Sequence, residues 1–338
     1  MSGDPASDVP GAPTAVVGAS GQVGSLVLDE LARGGLPAVA VGRSAPPAVP
    51  PGTTVRTLPR YDRAALRTAL TGCGAVVATL GLPYAARTWT AGWAPLVDAV
   101  AGACADLGLP LTLLDNVYVY GAAAGALTET TPLAPCSRKG AARLAGWRVL
   151  ERHADAGLDV VVCRAADFLG PGATTTVLPW DAVVAATRAA RPALPWLGDP
   201  DAVHTFAATP EVAAALVRVA HEPALRAGRV LHLPVVEPVT GRTLAAALGR
   251  ARGDGRTVPL RPLRAPVVRV AALVSRAARE QVEMMYQVER DQLVGDDRIR
   301  SLGWAAPRLT ADDVAALAAG AAPRPGTAVP RHAADRHA

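Results

Sequence analysis

The sequence predicts an α/β protein built on a doubly wound parallel sheet, with a smaller, mainly helical lobe towards the C-terminus. Three observations predict it. Six short apolar runs, "TAVVG", "AVAVG", "TVRTL", "AVVATL", "LTLLDN" and "DVVVCR", recur between residues 14 and 164. Helical patterns separate most of them, and parallel strands need such crossovers and are covered on both faces. The first run passes directly into a turn of regularly spaced glycines and then a helix.

Taken in order, residues 1–12 are rich in Pro, Ala, Gly and charge without a period, and are predicted to be a flexible tail, as are residues 321–338. The first strand leads to a helix over 22–33 that stops at Gly34-Gly35. "AVAVG" and "TVRTL" follow, the latter leading to a helix over 63–71 with Asp62 as its N-cap. "AVVATL" precedes a helix over 88–107, "LTLLDN" is the fifth strand, and a helix over 138–156 carries the chain to "DVVVCR". Residues 13–170 are therefore expected to form a nucleotide-binding domain and 171–320 a substrate lobe, part of which returns to the sheet. In that lobe Pro-rich loops separate helices near 181–190, 210–221, 242–252, 265–290 and 310–320. No internal repeat is present.

Composition narrows the function. A chain of 338 residues, half of them hydrophobic, can bury a sizeable core. The net charge of +5 comes from arginines scattered along the chain, and aromatic residues make up only 4%, so no patch for nucleic acid is expected. The four cysteines, Cys73, Cys104, Cys136 and Cys163, form no CxxC pair, which argues against a disulfide framework or a zinc site. No leader-like N-terminus and no apolar run long enough to span a bilayer is seen, so the expectation is a cytoplasmic protein with no membrane partner.

In "GASGQVG" the glycines Gly18, Gly21 and Gly24 are spaced GxxGxxG. A dinucleotide site of Rossmann type needs a tight turn at the first, close backbone approach to a pyrophosphate at the second, and close helix–strand packing at the third. Ser20, Gln22 and Val23 fill the remaining positions and are placed with the cofactor. At the end of the second strand stand Arg43 and Ser44, where a site selective for NAD offers an acid to the ribose diol. A guanidinium suits a 2′-phosphate, so NADP is expected, with NAD still possible.

With these residues the chain resembles the extended short-chain dehydrogenase/reductases, in particular the NAD-dependent epimerase/dehydratase family, over roughly residues 14–318. The resemblance rests on "GASGQVG", "DNVYVYG", "LTETTPLAP" before Lys139, "RAADFLGPG" and "DDRIRSLGWAAPRLT". It implies a Ser or Thr on the fifth strand, then Tyr and Lys in a YxxxK pattern on the next helix. The Tyr handles the proton at the reacting oxygen, and the Lys lowers its pKa and holds the nicotinamide ribose. Lys139, the only lysine among 34 basic residues, fits that lysine, and its survival points to a need for a compact ammonium.

The departures are as informative. Four residues before Lys139 stands Pro135, which has no proton to give, and the Ser/Thr position holds Asn116, an amide. Strand alternation places Asn116, Tyr118 and Tyr120 on one face of the fifth strand, at the end where ligands bind. Tyr118 fills the position of the family's dehydratase Glu. It is either a surrogate acid, with Asn116 orienting a carbonyl, or a wall of the pocket. Tyr84, Tyr120 and Asp167 are expected near the substrate, Asp167 either as a base or as a turn cap. Cys136 has no paired His, and His204 reads as structural.

Two readings follow. One is an oxidoreductase or epimerase (isomerase) acting on a hydroxyl or carbonyl of a small-molecule substrate. The other is a non-catalytic NADP(H)-binding sensor. The resemblance also implies a possible homodimer through the helices at 88–107 and 138–156.

Overall fold

The computed structural model describes residues 11–321; the expected tails lie almost wholly outside them. Strands β1 (Thr14–Val17), β2 (Ala38–Gly42), β3 (Thr53–Thr57), β4 (Ala75–Ala78) and β5 (Leu111–Asn116) alternate with helices α1 (Gly24–Arg33), α2 (Arg63–Leu70) and α3 (Ala86–Leu107), with β2 and β3 joined directly. After a short strand β6 (Ala126–Leu127) come α4 (Arg138–Asp155), β7 (Val160–Ala165) and β8 (Asp167–Leu169). The lobe adds α5 (Trp180–Arg188), β9 (Leu194–Leu197), β10 (Phe206–Ala208), α6 (Thr209–His221), β11 (Val230–His232), α7 (Gly241–Arg252), β12 (Leu260–Leu263), α8 (Ala265–Ala271), α9 (Arg276–Val282), β13 (Leu293–Val294), α10 (Asp297–Ser301) and α11 (Ala311–Ala319).

The seven-stranded sheet runs β11-β7-β5-β4-β1-β2-β3, parallel throughout. Five of its strands are fully or almost fully buried, as their Val, Ala and Leu content requires of a sheet covered on both faces. β3 is the exception, an edge strand with only intermediate or exposed residues. α1 and α6 close one face around Val27, Leu31, Val212 and Leu216. α2, α3 and α4 close the other around Leu66, Val97, Val100 and Leu150. The chain order reverses between β1 and β4, and the loops after these two strands diverge there, leaving a crevice.

The lobe has its own core, around Leu178, Trp180, Trp196, Phe206 and Leu248. The helical run expected over 265–290 is interrupted: α8 ends at Ala271, a turn exposes Leu273 and Val274, and Ser275 caps α9 by accepting from Ala278 N at 3.3 Å. Among the described residues no helix is long and apolar enough to cross a membrane, and no group of three His, Cys, Asp or Glu could hold a metal ion.

Candidate functional site

The glycine loop fits a dinucleotide. Gly18 has φ +90°, and a Cβ there would sit 3.1 Å from the Thr79 carbonyl at the end of β4. A side chain on Gly24 would drive into the Gly18 carbonyl and come 2.9 Å from Ala19 Cα, so α1 packs on β1 only with glycine at that place. Gly21 is exposed just before α1 with its own N–H donated to Gly18 O at 2.9 Å, so an anion beside it would meet the N–H groups of the first helical turn. Ser20, Arg43 and Ser44 are all exposed beside it; the Ser20 hydroxyl lies 3.8 Å from where a Gly42 Cβ would be. Burial raises the pKa of the Tyr61 phenol, and the neighbouring Arg43 opposes the rise.

From this loop a cleft of about 390 Å³ runs along the C-terminal ends of β1, β4, β5 and β7. Gly21, Gln22 and Val23 form one end; Tyr84, Asn116, Tyr118, Arg143 and Asp167 line the other. Gln22 Oε1 accepts from Thr174 N at 3.1 Å, tying the glycine loop to the threonine-rich segment that forms the outer wall.

Asn116 is the last residue of β5, and its side-chain oxygen accepts from Tyr118 N at 3.1 Å. That bond starts a 3₁₀ turn over Tyr118–Tyr120. Once the strand has ended, residues two apart no longer share a face, so the expected alternation fails. Tyr118 lines the cleft, whereas Tyr120 points into the core, its hydroxyl 2.7 Å from both His232 Nε2 and Arg164 Nη1. Tyr120 is thus a core residue and not a substrate contact.

Trp89 organises the aromatic end of the cleft. Tyr118 stacks on it at 6.1 Å and Tyr84 meets it edge-on at 5.6 Å. Both phenols lie at this end of the cleft, close enough to influence each other's ionisation. Burial drives both pKa values well above the ordinary tyrosine value, and the nearby Asp167 carboxylate adds to the rise. Asp167 is held by His204, whose Nε2 stands 2.9 Å from Oδ2. Tyr286, from the lobe, brings a third phenol into the same field, its pKa also raised by burial.

Lys139 stands outside the cleft lining. It is completely buried, and its ammonium donates to Glu280 O at 2.8 Å, Glu280 Oε2 at 2.7 Å and Glu283 Oε1 at 2.8 Å. An ammonium has three N–H donors, and all three are taken. The expected ribose contact would require both carboxylates to move away. A planar guanidinium could not direct its N–H groups at acceptors gathered around one point, which accounts for lysine at this single position.

The cation in the cleft is Arg143, four residues on along the same face of α4. Its Nη1 pairs with Asp115 Oδ1 at 3.0 Å, and its guanidinium packs 3.7 Å from the centre of Trp93 and 4.3 Å from that of Trp89. Burial pulls its pKa down while Asp115 opposes the fall. Its Nε is buried with no hydrogen-bond partner. Sequence reasoning passed over both Arg143 and Asp115. Their signal was the i,i+4 step from Lys139 and the acid beside Asn116 at a strand end.

The profile of the NAD dependent epimerase/dehydratase family matches residues 14–233, and the chain belongs to that family. No curated protein sequence matches it. Among solved structures, UDP-N-acetylglucosamine 4-epimerase from Bacillus cereus superposes with a TM-score of 0.70 at 13% identity, over 91% of this chain and 98% of its own. UDP-glucuronic acid 4-epimerase from the same organism, in complex with UDP-glucuronic acid and NAD, gives 0.70 at 15% identity, covering 90% and 96%. DesIV, a dTDP-glucose 4,6-dehydratase from Streptomyces venezuelae with NAD bound, gives 0.69 at 20%, covering 91% and 95%. At these identities the likeness is one of fold.

Proposed function

We propose that this member of the NAD dependent epimerase/dehydratase family is an NADP-dependent oxidoreductase or epimerase acting on the hydroxyl or carbonyl carbon of a small metabolite. The observation that carries the reading is the phenol pair Tyr84 and Tyr118, both packed on Trp89 and sharing one cleft with Asn116, Arg143 and the glycine loop. The bound nicotinamide supplies hydride chemistry. In this reading Gly21 and the start of α1 hold the pyrophosphate, and Ser20, Arg43 and Ser44 receive the 2′-phosphate. Arg143, the cation lining the cleft, takes the place at the nicotinamide ribose that the resemblance assigned to Lys139.

The remaining residues handle the substrate oxygen. Asn116 has its side-chain oxygen committed to Tyr118 N, which leaves its NH₂ to donate to a substrate carbonyl. Tyr118 gives the proton. Burial, with Tyr84 and Asp167 beside it, raises its pKa against the opposing charge of Arg143, so the phenol stays protonated at neutral pH and is matched to a nascent alkoxide, a far stronger base. Tyr84, on the same tryptophan and in the same cleft, is the neighbouring phenol from which the position is refilled. This favours the reductive direction, because abstraction from an alcohol would need a phenolate that the site disfavours. The sugar nucleotides bound to similar proteins support a polyhydroxylated substrate. A homodimer through α3 and α4 belongs to the same reading.

The test is NADPH oxidation by the purified protein against a panel of sugar nucleotides, aldehydes and ketones, with epimer formation from the sugar nucleotides in the presence of NADP followed in parallel. Turnover on any of them, with NADPH preferred to NADH, supports the reading. Tight NADPH binding with no turnover leaves the sensor alternative in its place.

A further inference from the structure

The turn between α8 and α9 carries a convex apolar tip. Leu273 and Val274 are 80% and 91% exposed, and Val270 and Val267 on α8 are 69% and 52% exposed. They form one run within residues 263–279, which contains four arginines, Arg264, Arg269, Arg276 and Arg279, and no acid. Arg264 at the base of the hairpin is paired with Glu289 and Asp199, and the next acids along the chain, Glu280 and Glu283, turn inward and are held by Lys139, which leaves Arg269, Arg276 and Arg279 as the positive fringe. On the other side, Val268 and Ala265 anchor the hairpin on Met285 and Val288. So the hairpin is fixed at its base and offers water an apolar point fringed with positive charge.

The charge decides what covers it. A second copy of the chain across a two-fold axis would set arginine against arginine over the same patch. A protein groove for a protruding tip must match its shape, whereas the interface of a bilayer accepts inserted Leu and Val without a preformed pocket, and anionic headgroups attract the arginine fringe. We propose that the α8–α9 tip is a peripheral membrane anchor that inserts Leu273 and Val274 into an anionic bilayer surface. Short apolar insertion plus a few arginines gives reversible attachment, with no segment crossing the bilayer.

The test is sedimentation of the full chain with vesicles of phosphatidylcholine alone and of phosphatidylcholine with one-third phosphatidylglycerol. The protein is expected to pellet with the anionic vesicles only, and less so as salt is raised. Leu273→Asp with Val274→Asp should lower the partition at least about tenfold. Arg269→Gln with Arg276→Gln should lower it by a smaller factor. Both pairs are exposed, so melting temperature should stay unchanged and serves as the folding control. Failure to pellet with anionic vesicles overturns the proposal. So does a concentration-dependent dimer in solution that the Leu273→Asp, Val274→Asp variant disperses, since the patch would then be an interface between copies.

Discussion

Lys139 Nζ lies 2.7 Å from Glu280 Oε2, joining residues 141 positions apart in the chain. The same carboxylate accepts from Ala86 N at 2.7 Å, the first residue of α3, and Glu283 accepts from Arg138 N at 3.0 Å, the first of α4. Two glutamates three apart, Glu280 on α9 and Glu283 just past its end, thereby cap two helices and clamp one lysine between them. The lobe is fastened to the sheet domain through this cluster, beside the wall that carries Tyr84 and Trp89.

Removing the lysine strands two carboxylates. Lys139→Met should cost about 3 kcal/mol in urea unfolding, the low end for a broken buried pair because the glutamates keep some contact with water. Lys139→Arg should recover little of it. The pair also has a pH signature. Burial would raise the Glu280 and Glu283 pKa values, but hydrogen bonds from Lys139 and backbone N–H groups lower them on balance. Folded values below the unfolded ones mean stability present at neutral pH and lost as pH falls past the ordinary glutamate value and through the folded ones. Lys139→Met should flatten that acid limb.

Glu211 has the opposite sign. Burial in α6 raises its pKa to about 7, with Oε2 unpartnered. A folded value above the unfolded one stabilises at acid pH, and the benefit is lost as pH rises towards 7. Glu211→Gln should therefore raise stability by about 3 kcal/mol at pH 8 and change it little at pH 5, read from melting curves at the two pH values.

For the proton donor, Tyr118→Phe should reduce turnover about a hundredfold or more while leaving NADPH affinity within a factor of a few. Tyr84→Phe should have a smaller effect, since it removes only the relay partner. Equal turnover in Tyr118→Phe and the wild type would remove Tyr118 from the chemistry.

Arg43→Asp should move cofactor preference from NADP towards NAD by about tenfold or more, because a carboxylate repels the 2′-phosphate and accepts from the ribose diol. Competitive titration with the two cofactors measures it. An unchanged ratio would show that the 2′-phosphate is not read at this strand end.

What the sequence made legible was local. Gly18 and Gly24 are dictated by backbone contacts within a dozen residues and to the adjoining strand, so their spacing alone announced the loop. The apolar strands declared themselves because a sheet buried on both faces needs continuous Val, Ala and Leu. The site was less legible where contacts are long-range. Nothing near Lys139 foretells Glu280 and Glu283, and nothing near residue 86 foretells that Glu280 caps α3 and starts it before the expected residue 88. Tyr120 was misplaced because alternation was carried past Asn116, where the strand ends. Arg143 escaped notice because attention rested on the only lysine, one helical turn away.

The proposed function puts NADP in the cleft with Arg143, and not Lys139, at the nicotinamide ribose. The decisive measurement is calorimetric titration of NADPH into the wild type, Arg143→Met and Lys139→Met, each shown to be folded by circular dichroism at the working temperature. Binding by the wild type, a loss of about tenfold or more in Arg143→Met, and near-unchanged affinity in Lys139→Met are expected. No binding by the wild type, or affinity lost with Lys139 and kept without Arg143, would contradict it.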